Sequence, residues 1–197
     1  MTESTEKETA IVVYGASSER INPRYKEAAY HLGELIGRSG ATLISGGGKA
    51  GIMKASIDGA TCAGGQIIGV LPRFMVDREW QHPSLSRMIV TESMHERKQT
   101  MANLSSAAIA CPGGCGTLEE LMEIITWRQL NLYSGNVVIL NTDGYFDPLL
   151  EMLQRTIDEG FMREDHKELW QVARTPEEAI EKALQPTIHA PFTQKIH

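Results

Sequence analysis

The chain has 197 residues, 42% of them hydrophobic, and a formal net charge of −6 from 25 acidic and 19 basic side chains. That length supports one sizeable core in a single domain over 1–197, and an acidic chain without a basic tail is a poor candidate for nucleic-acid binding. No apolar run approaches membrane-spanning length, and the polar start Met1-Thr2-Glu3-Ser4 lacks the apolar stretch of a secretory signal. Three cysteines make no disulfide framework, and Cys111 with Cys115 lacks the second ligand pair a zinc site needs. A soluble, cytoplasmic protein without a metal is expected, with flexible tails at 1–9 and 186–197.

Ala10 to Tyr14 reads as a buried strand, followed by the small-residue loop Gly15-Ala16-Ser17-Ser18. Asn22-Pro23 opens a helix with proline at its first position, ending near Ser39-Gly40. Ala41 to Ser45 makes a second strand, Gly46-Gly47-Gly48-Lys49-Ala50-Gly51 opens a helix reaching about Ala63, and Gln66 to Leu71 makes a third strand. Near-continuous apolar strands alternating with helices indicate a parallel sheet covered on both faces. Gly46-x-Gly48-x-x-Gly51 matches the dinucleotide fingerprint in spacing. It follows the second strand rather than the first, and no acidic residue ends a strand about twenty positions later, so NAD is not expected.

Pro72 to Ser86 is a loop of mixed charge carrying Arg73, Asp77, Arg78 and Glu79. It is too long for a simple connector, and a solvated loop and a functional one both remain open. Arg87 to Thr91 is a fourth strand, and Ser93-x-x-Glu96 is a capping box at the next helix start. Arg97 and Lys98 then fall near that helix's positive end, where cations are disfavoured unless acidic neighbours or an anionic ligand answer them.

The apolar run from Ala107 breaks at Pro112-Gly113-Gly114-Cys115-Gly116, then resumes at helical spacing through Leu118, Leu121, Met122 and Ile125. A strand, a glycine turn and a helix start together direct backbone N–H groups and the helix dipole at an anion, with no Cβ in the way. Glu119 and Glu120 would sit in the first helical turn beside that anion. Thr117-x-x-Glu120 equally reads as a capping box, with Thr117 as cap and Glu120 reaching back to it.

Asn136 to Leu140 is a sixth strand with Asn141-Thr142-Asp143-Gly144 as its turn. Phe146-Asp147-Pro148 leads into a helix ending at Glu159-Gly160, Leu169 to Val172 is a candidate edge strand, and Thr175-Pro176-Glu177-Glu178 starts the last helix. The expected fold is α/β, a Rossmann-like open and mainly parallel sheet with helices on both faces. Ligands of such sheets bind beyond the carboxyl ends of the strands. Five loops fall at such ends: Gly15 to Ser18, Gly46 to Gly51, the Pro72 loop, Thr91 to Lys98, and Pro112 to Thr117.

Pro112-Gly113-Gly114-x-Gly116-Thr117-x-x-Glu120, with Met94-His95-Glu96-Arg97-Lys98 upstream, resembles the LOG (lonely guy) family over most of the chain. Members of that family are cytokinin riboside 5′-monophosphate phosphoribohydrolases, long mislabelled as lysine decarboxylases. The resemblance implies hydrolysis of the N-glycosidic bond of a purine nucleoside 5′-monophosphate to free base and ribose 5-phosphate, with no cofactor. The substrate would be AMP or a relative carrying a prenyl-type substituent. It further implies that Glu120 faces the cationic ribosyl centre, either stabilising the cation or activating water, with Arg97 and Lys98 positioning phosphate and ribose and Arg97 also orienting Glu120. Gly113, Gly114, Cys115, Gly116 and Thr117 would hold the phosphate beside Glu119, and Glu79 and Thr126 would be further substrate contacts. Gly15, Ser17, Gly46, Gly47 and Gly48 would form walls of the site. Ile52 and Lys54 stand where the family usually has Leu and Gly, a change expected at the rim rather than in the chemistry.

The resemblance also implies a homodimer or larger assembly with the site near the subunit boundary. A non-catalytic carrier of a nucleotide or phosphorylated cofactor, such as molybdenum cofactor, is the alternative, and it would need no carboxylate at the sugar. The inherited decarboxylase label would need a pyridoxal-phosphate lysine. Only Lys49 and Lys54 lie near a glycine loop, and neither has a visible partner set for that cofactor.

Overall fold

A computed structural model describes residues 9–187. The strands are β1 (Ala10–Tyr14), β2 (Thr42–Ser45), β3 (Ile67–Pro72), β4 (Arg87–Thr91), β5 (Ala107–Ala110), β6 (Asn136–Leu140) and β7 (Gln171–Ala173). The helices are α1 (Pro23–Arg38), α2 (Gly51–Cys62), α3 (Arg73–Val76), α4 (Met94–Leu104), α5 (Cys115–Gln129), α6 (Asp147–Asp158) and α7 (Pro176–Leu184). The strands form one sheet in the order β4-β3-β2-β1-β5-β6-β7, and each strand pairing is parallel. The α/β fold expected from the sequence is thus present, and the order reverses between β1 and β5.

Side chains alternate across the central strands, as a pleated strand requires. Ile11 and Val13 join Leu32 and Ile36 of α1, Ile57 of α2 and Ala179 of α7 in one core. Val12 and Tyr14 join Met101 of α4, Leu121 and Ile125 of α5, and Phe146 before α6 in the other. β1 and β5 are buried along their whole length, which is why they read as unbroken apolar runs. The α1 and α2 helices cross in near contact. A Cβ on Gly33 would lie 2.0 Å from the Ser56 carbonyl, and one on Gly59 would lie 1.9 Å from that of Tyr30.

Helix starts follow local chemistry. Asn22 accepts from the Arg24 N–H at 3.2 Å with Pro23 in the first helical position. Ser93 accepts from the Glu96 N–H at 3.1 Å, and Glu96 bonds back to the N–H of Glu92, one residue before the cap. Thr175 and Glu178 repeat that arrangement, with Arg174 as the returned donor. The edge strand β7 starts two residues after its expected place, because Glu164–Leu169 winds as a 3-10 turn that buries Leu169.

The segment after β3 is more than a loop. It contains α3, and it is tied to the β2–α2 connection by Lys49 N–H to the Trp80 carbonyl at 3.0 Å and His82 N–H to the Gly47 carbonyl at 2.7 Å. Among the described residues, no helix is long and apolar enough to cross a membrane. The tails expected at 1–9 and 186–197 lie outside the described residues except for 9, 186 and 187.

Candidate functional site

A cavity of about 350 Å³ opens beyond β1 and β5, where the strand order reverses. Every one of the five loops contributes to its wall: Gly15 and Ser17 after β1, Gly46 after β2, Met75 after β3, Arg97 after β4 and Gly114 after β5. This is the switch-point position at which open α/β sheets bind ligands.

The helix start after β5 decides between the two readings of its sequence. Gly114 is the N-cap of α5, in extended conformation, and no side chain caps the helix. Thr117 is instead the third helical residue, buried with its side chain against Gly113. The capping-box reading therefore fails, and Glu119 and Glu120 lie one turn deeper than the first. Gly114, Gly116 and Thr117 line the cavity, so the uncapped, positive end of a four-turn helix faces it.

Glu120 does not reach back to a cap; it meets Arg97. Arg97 Nη1 donates to Glu120 Oε1 at 3.2 Å, with the two side chains only 7% and 12% exposed. Arg97 Nε donates to the Val70 carbonyl at 3.0 Å. A Cβ on residue 46 would fall 2.0 Å from Arg97 Nη2, so the guanidinium can lie there only over a glycine. Burial pushes the Glu120 carboxyl above the ordinary glutamate range, Arg97 and then Lys98 pull it back, and Glu119 adds to the rise. A buried carboxyl with a specific charged partner in a cleft is a typical signature of a functional group. Tyr14 lines the same cavity, and its phenol is held well above its usual range by burial and by Glu120.

Lys98 does not line the cavity. Its ammonium pairs with Glu119 and, at 3.2 Å, with Glu123, bracing α4 against α5. Glu119 lines the cavity but is engaged by that lysine. Cys115 is exposed, and Gly113 is buried beneath the loop with its carbonyl bonded to Tyr145. Glu79 is exposed after α3 at φ 56°, and Thr126 is exposed on α5 with its hydroxyl donating to the Met122 carbonyl. Neither touches the cavity. Gly47 packs on Leu71, whereas Gly48 lines a second chamber.

That second chamber, of about 380 Å³, shares Ser17, Gly46, Met53, Met75 and Arg97 with the first. Leu71 and Trp80 complete an apolar wall, and Lys49 stands beside them. Arg78 stacks over the Trp80 ring at 5.3 Å and over Phe74 at 5.8 Å. Sequence reasoning missed Met53, Met75 and Trp80. The one available signal was a lone tryptophan next to Glu79 in a charged loop.

The second glycine loop is closed to anions. The Gly51 N–H at the start of α2 donates to Glu19 Oε1 at 2.8 Å, and the Ile52 N–H donates to the Ala16 carbonyl at 2.8 Å. The chain thus fills the place a dinucleotide pyrophosphate would take in the Gly-x-Gly-x-x-Gly turn. Lys54 is paired with Asp58 on the surface.

A family model described as possible lysine decarboxylase matches residues 53–183. The Oryza sativa subsp. japonica protein named probable cytokinin riboside 5′-monophosphate phosphoribohydrolase LOGL2 is 39% identical over 173 residues, covering 87% of this chain and 70% of that protein. The Arabidopsis thaliana cytokinin riboside 5′-monophosphate phosphoribohydrolase LOG3 is 38% identical over 187 residues, covering 94% and 85%. Among solved structures, the molybdenum cofactor binding protein from Rippkaea orientalis matches with a TM-score of 0.69 and 27% identity, over 90% of this chain and 96% of that one. Matched over most of its length by both the family model and these relatives, the chain belongs to the LOG family.

Proposed function

We propose that the protein hydrolyses the N-glycosidic bond of a purine nucleoside 5′-monophosphate. The C1′–N bond breaks, a C1′–O bond forms to water, and the water's proton passes to the departing base. The observation that carries this reading is the buried Arg97–Glu120 pair between an anion-accepting helix end and an apolar chamber. The 5′-phosphate would lie on the Gly114, Gly116 and Thr117 end of α5, the ribose beside Glu120, and the base in the second chamber. Glu120 as carboxylate would face the oxocarbenium-like centre, and Arg97 would hold its orientation. Water is the only co-reactant, so no cofactor is required.

The chamber's methionines, leucine and tryptophan suit an adenine with an apolar substituent better than adenine alone. The names of the curated relatives point the same way. A carrier of a phosphorylated cofactor is the second reading, favoured by likeness in fold to the Rippkaea protein. It leaves the carboxylate at the sugar without a task.

Incubation with AMP and with N6-isopentenyl-AMP, followed by chromatography of base and ribose 5-phosphate, separates the two. Turnover with preference for the substituted nucleotide supports the hydrolase. Tight binding without turnover would give the case to the carrier. By family resemblance the working assembly is a homodimer, for which light scattering is the measurement.

A further inference from the structure

The turn after β6, in sequence a plain connector, reaches across to the glycine loop after the neighbouring strand β5. The Tyr145 hydroxyl donates to the Gly113 carbonyl at 2.6 Å. Its ring is held edge-on by Tyr25, with centroids 5.6 Å apart, and by buried Phe146 at 5.0 Å. The turn itself is braced. Asn141 Oδ1 accepts from the Phe146 N–H at 2.7 Å, Asn141 Nδ2 donates to Asp147 at 2.7 Å, and Asp143 pairs with Arg24 at 2.9 Å. The phenol oxygen is therefore delivered to a fixed point.

A trans peptide is planar, with its C=O and the following N–H pointing in opposite directions. No described peptide bond is cis. Holding the Gly113 carbonyl on Tyr145 thus turns the Gly114 N–H the other way. Tyr145 is off the cavity wall, and Gly114 is on it. Between two glycines that peptide could otherwise flip at little steric cost. A flipped peptide would offer the incoming anion a carbonyl oxygen in place of an N–H.

We propose that Tyr145 is a positioning residue for the substrate's phosphate, locking the Gly113–Gly114 peptide with its N–H toward the anion. This rests on the reading of the α5 N-terminus as the 5′-phosphate site. Its signature is selective: ligands with the phosphate feel the loss of the hydroxyl, and the free base does not.

The test compares wild type, Tyr145→Phe and Tyr145→Ala by calorimetry with ribose 5-phosphate and with adenine, by AMP kinetics, and by thermal melting. For Tyr145→Phe, a rise of about tenfold in the Kd of ribose 5-phosphate and in KM is expected, the worth of one hydrogen bond to an anion. The kcat, the adenine affinity and the melting temperature should stay at wild-type values. Tyr145→Ala should weaken ribose 5-phosphate by the same factor, since the hydroxyl and not the ring is at work. Unchanged ribose 5-phosphate binding in Tyr145→Phe overturns the proposal, as does an equal loss for adenine and phosphate ligands. If wild type turns over no nucleotide yet Tyr145→Phe still loses ribose 5-phosphate affinity, the positioning role stands and the hydrolase reading falls. If wild type binds no ribose 5-phosphate, both fall.

Discussion

Arg97 bonds to the Val70 carbonyl through Nε and to Glu120 through Nη1, so a backbone oxygen of β3 sets the angle at which the carboxylate is presented. The pair links α4, α5 and the sheet through one planar guanidinium. A lysine could not make both bonds in a fixed geometry.

Glu120→Gln should therefore lower kcat by about 10²–10⁴-fold, the usual cost of losing a positioned acid–base or charge-stabilising group. The amide can still accept from Arg97, so melting temperature and nucleotide binding should be retained. A folded, fully active variant would remove Glu120 from the mechanism.

Gly46→Ala tests the same pair without touching either member. The new methyl would lie 2.0 Å from Arg97 Nη2, so the guanidinium must move. Misplacement on the scale of an ångström costs about 10²-fold in rate. Steady-state kinetics showing wild-type kcat would mean that the guanidinium position is not critical.

The pH profile carries the sign of the Glu120 shift. Its carboxyl is raised mainly by burial, so kcat/KM should fall on the acid side at a pH above that of an ordinary glutamate. Lys98 pulls this carboxyl down, and Glu119, which Lys98 now neutralises, pushes it up. Lys98→Met should move the acid limb to still higher pH. A limb that stays in place or moves down contradicts this account of the site's electrostatics.

His82 gives a stability counterpart. It is buried, its Nδ1 accepts from the Ser84 N–H at 3.1 Å, and its Nε2 faces Asp58 at 3.1 Å. Burial, the leading cause, lowers its pKa; Asp58 opposes and Lys54 assists. With a depressed folded value, stability is fully present above the unfolded pKa of about 6.5 and declines as pH falls through the folded one. Melting curves across that window should slope less steeply in His82→Gln than in wild type.

Trp80→Ala opens the apolar chamber. Under the proposed reaction it should raise KM for N6-isopentenyl-AMP roughly tenfold, with a smaller effect on AMP. Equal effects on both substrates would place the substituent elsewhere.

The fold was legible because β1, β2, β5 and β6 are largely buried on both faces and so read as short apolar runs between helical segments. The convergence of five loops followed from parallel topology alone. Who takes each helix's first N–H groups was not legible. Two glycine turns of similar composition differ because Glu19 is folded onto one by the loop after β1, while nothing caps the other. Thr117-x-x-Glu120 misled for a related reason: the glycines let α5 begin three residues earlier, with Gly114 rather than Thr117 in the cap position. Lys98 shows the limit of reading a charge by its neighbours in sequence, since its partners Glu119 and Glu123 arrive from another helix.

The two adjoining chambers have a consequence for turnover. A nucleotide filling both would be anchored twice, by its anionic end on α5 and by its base between Met53, Met75 and Trp80. The glycosidic bond would be the tether that makes these two weak attachments act as one strong one. Cutting that tether removes the gain in effective concentration, and each fragment is left with a single anchor. Hydrolysis would thus loosen its own products without any lid having to open.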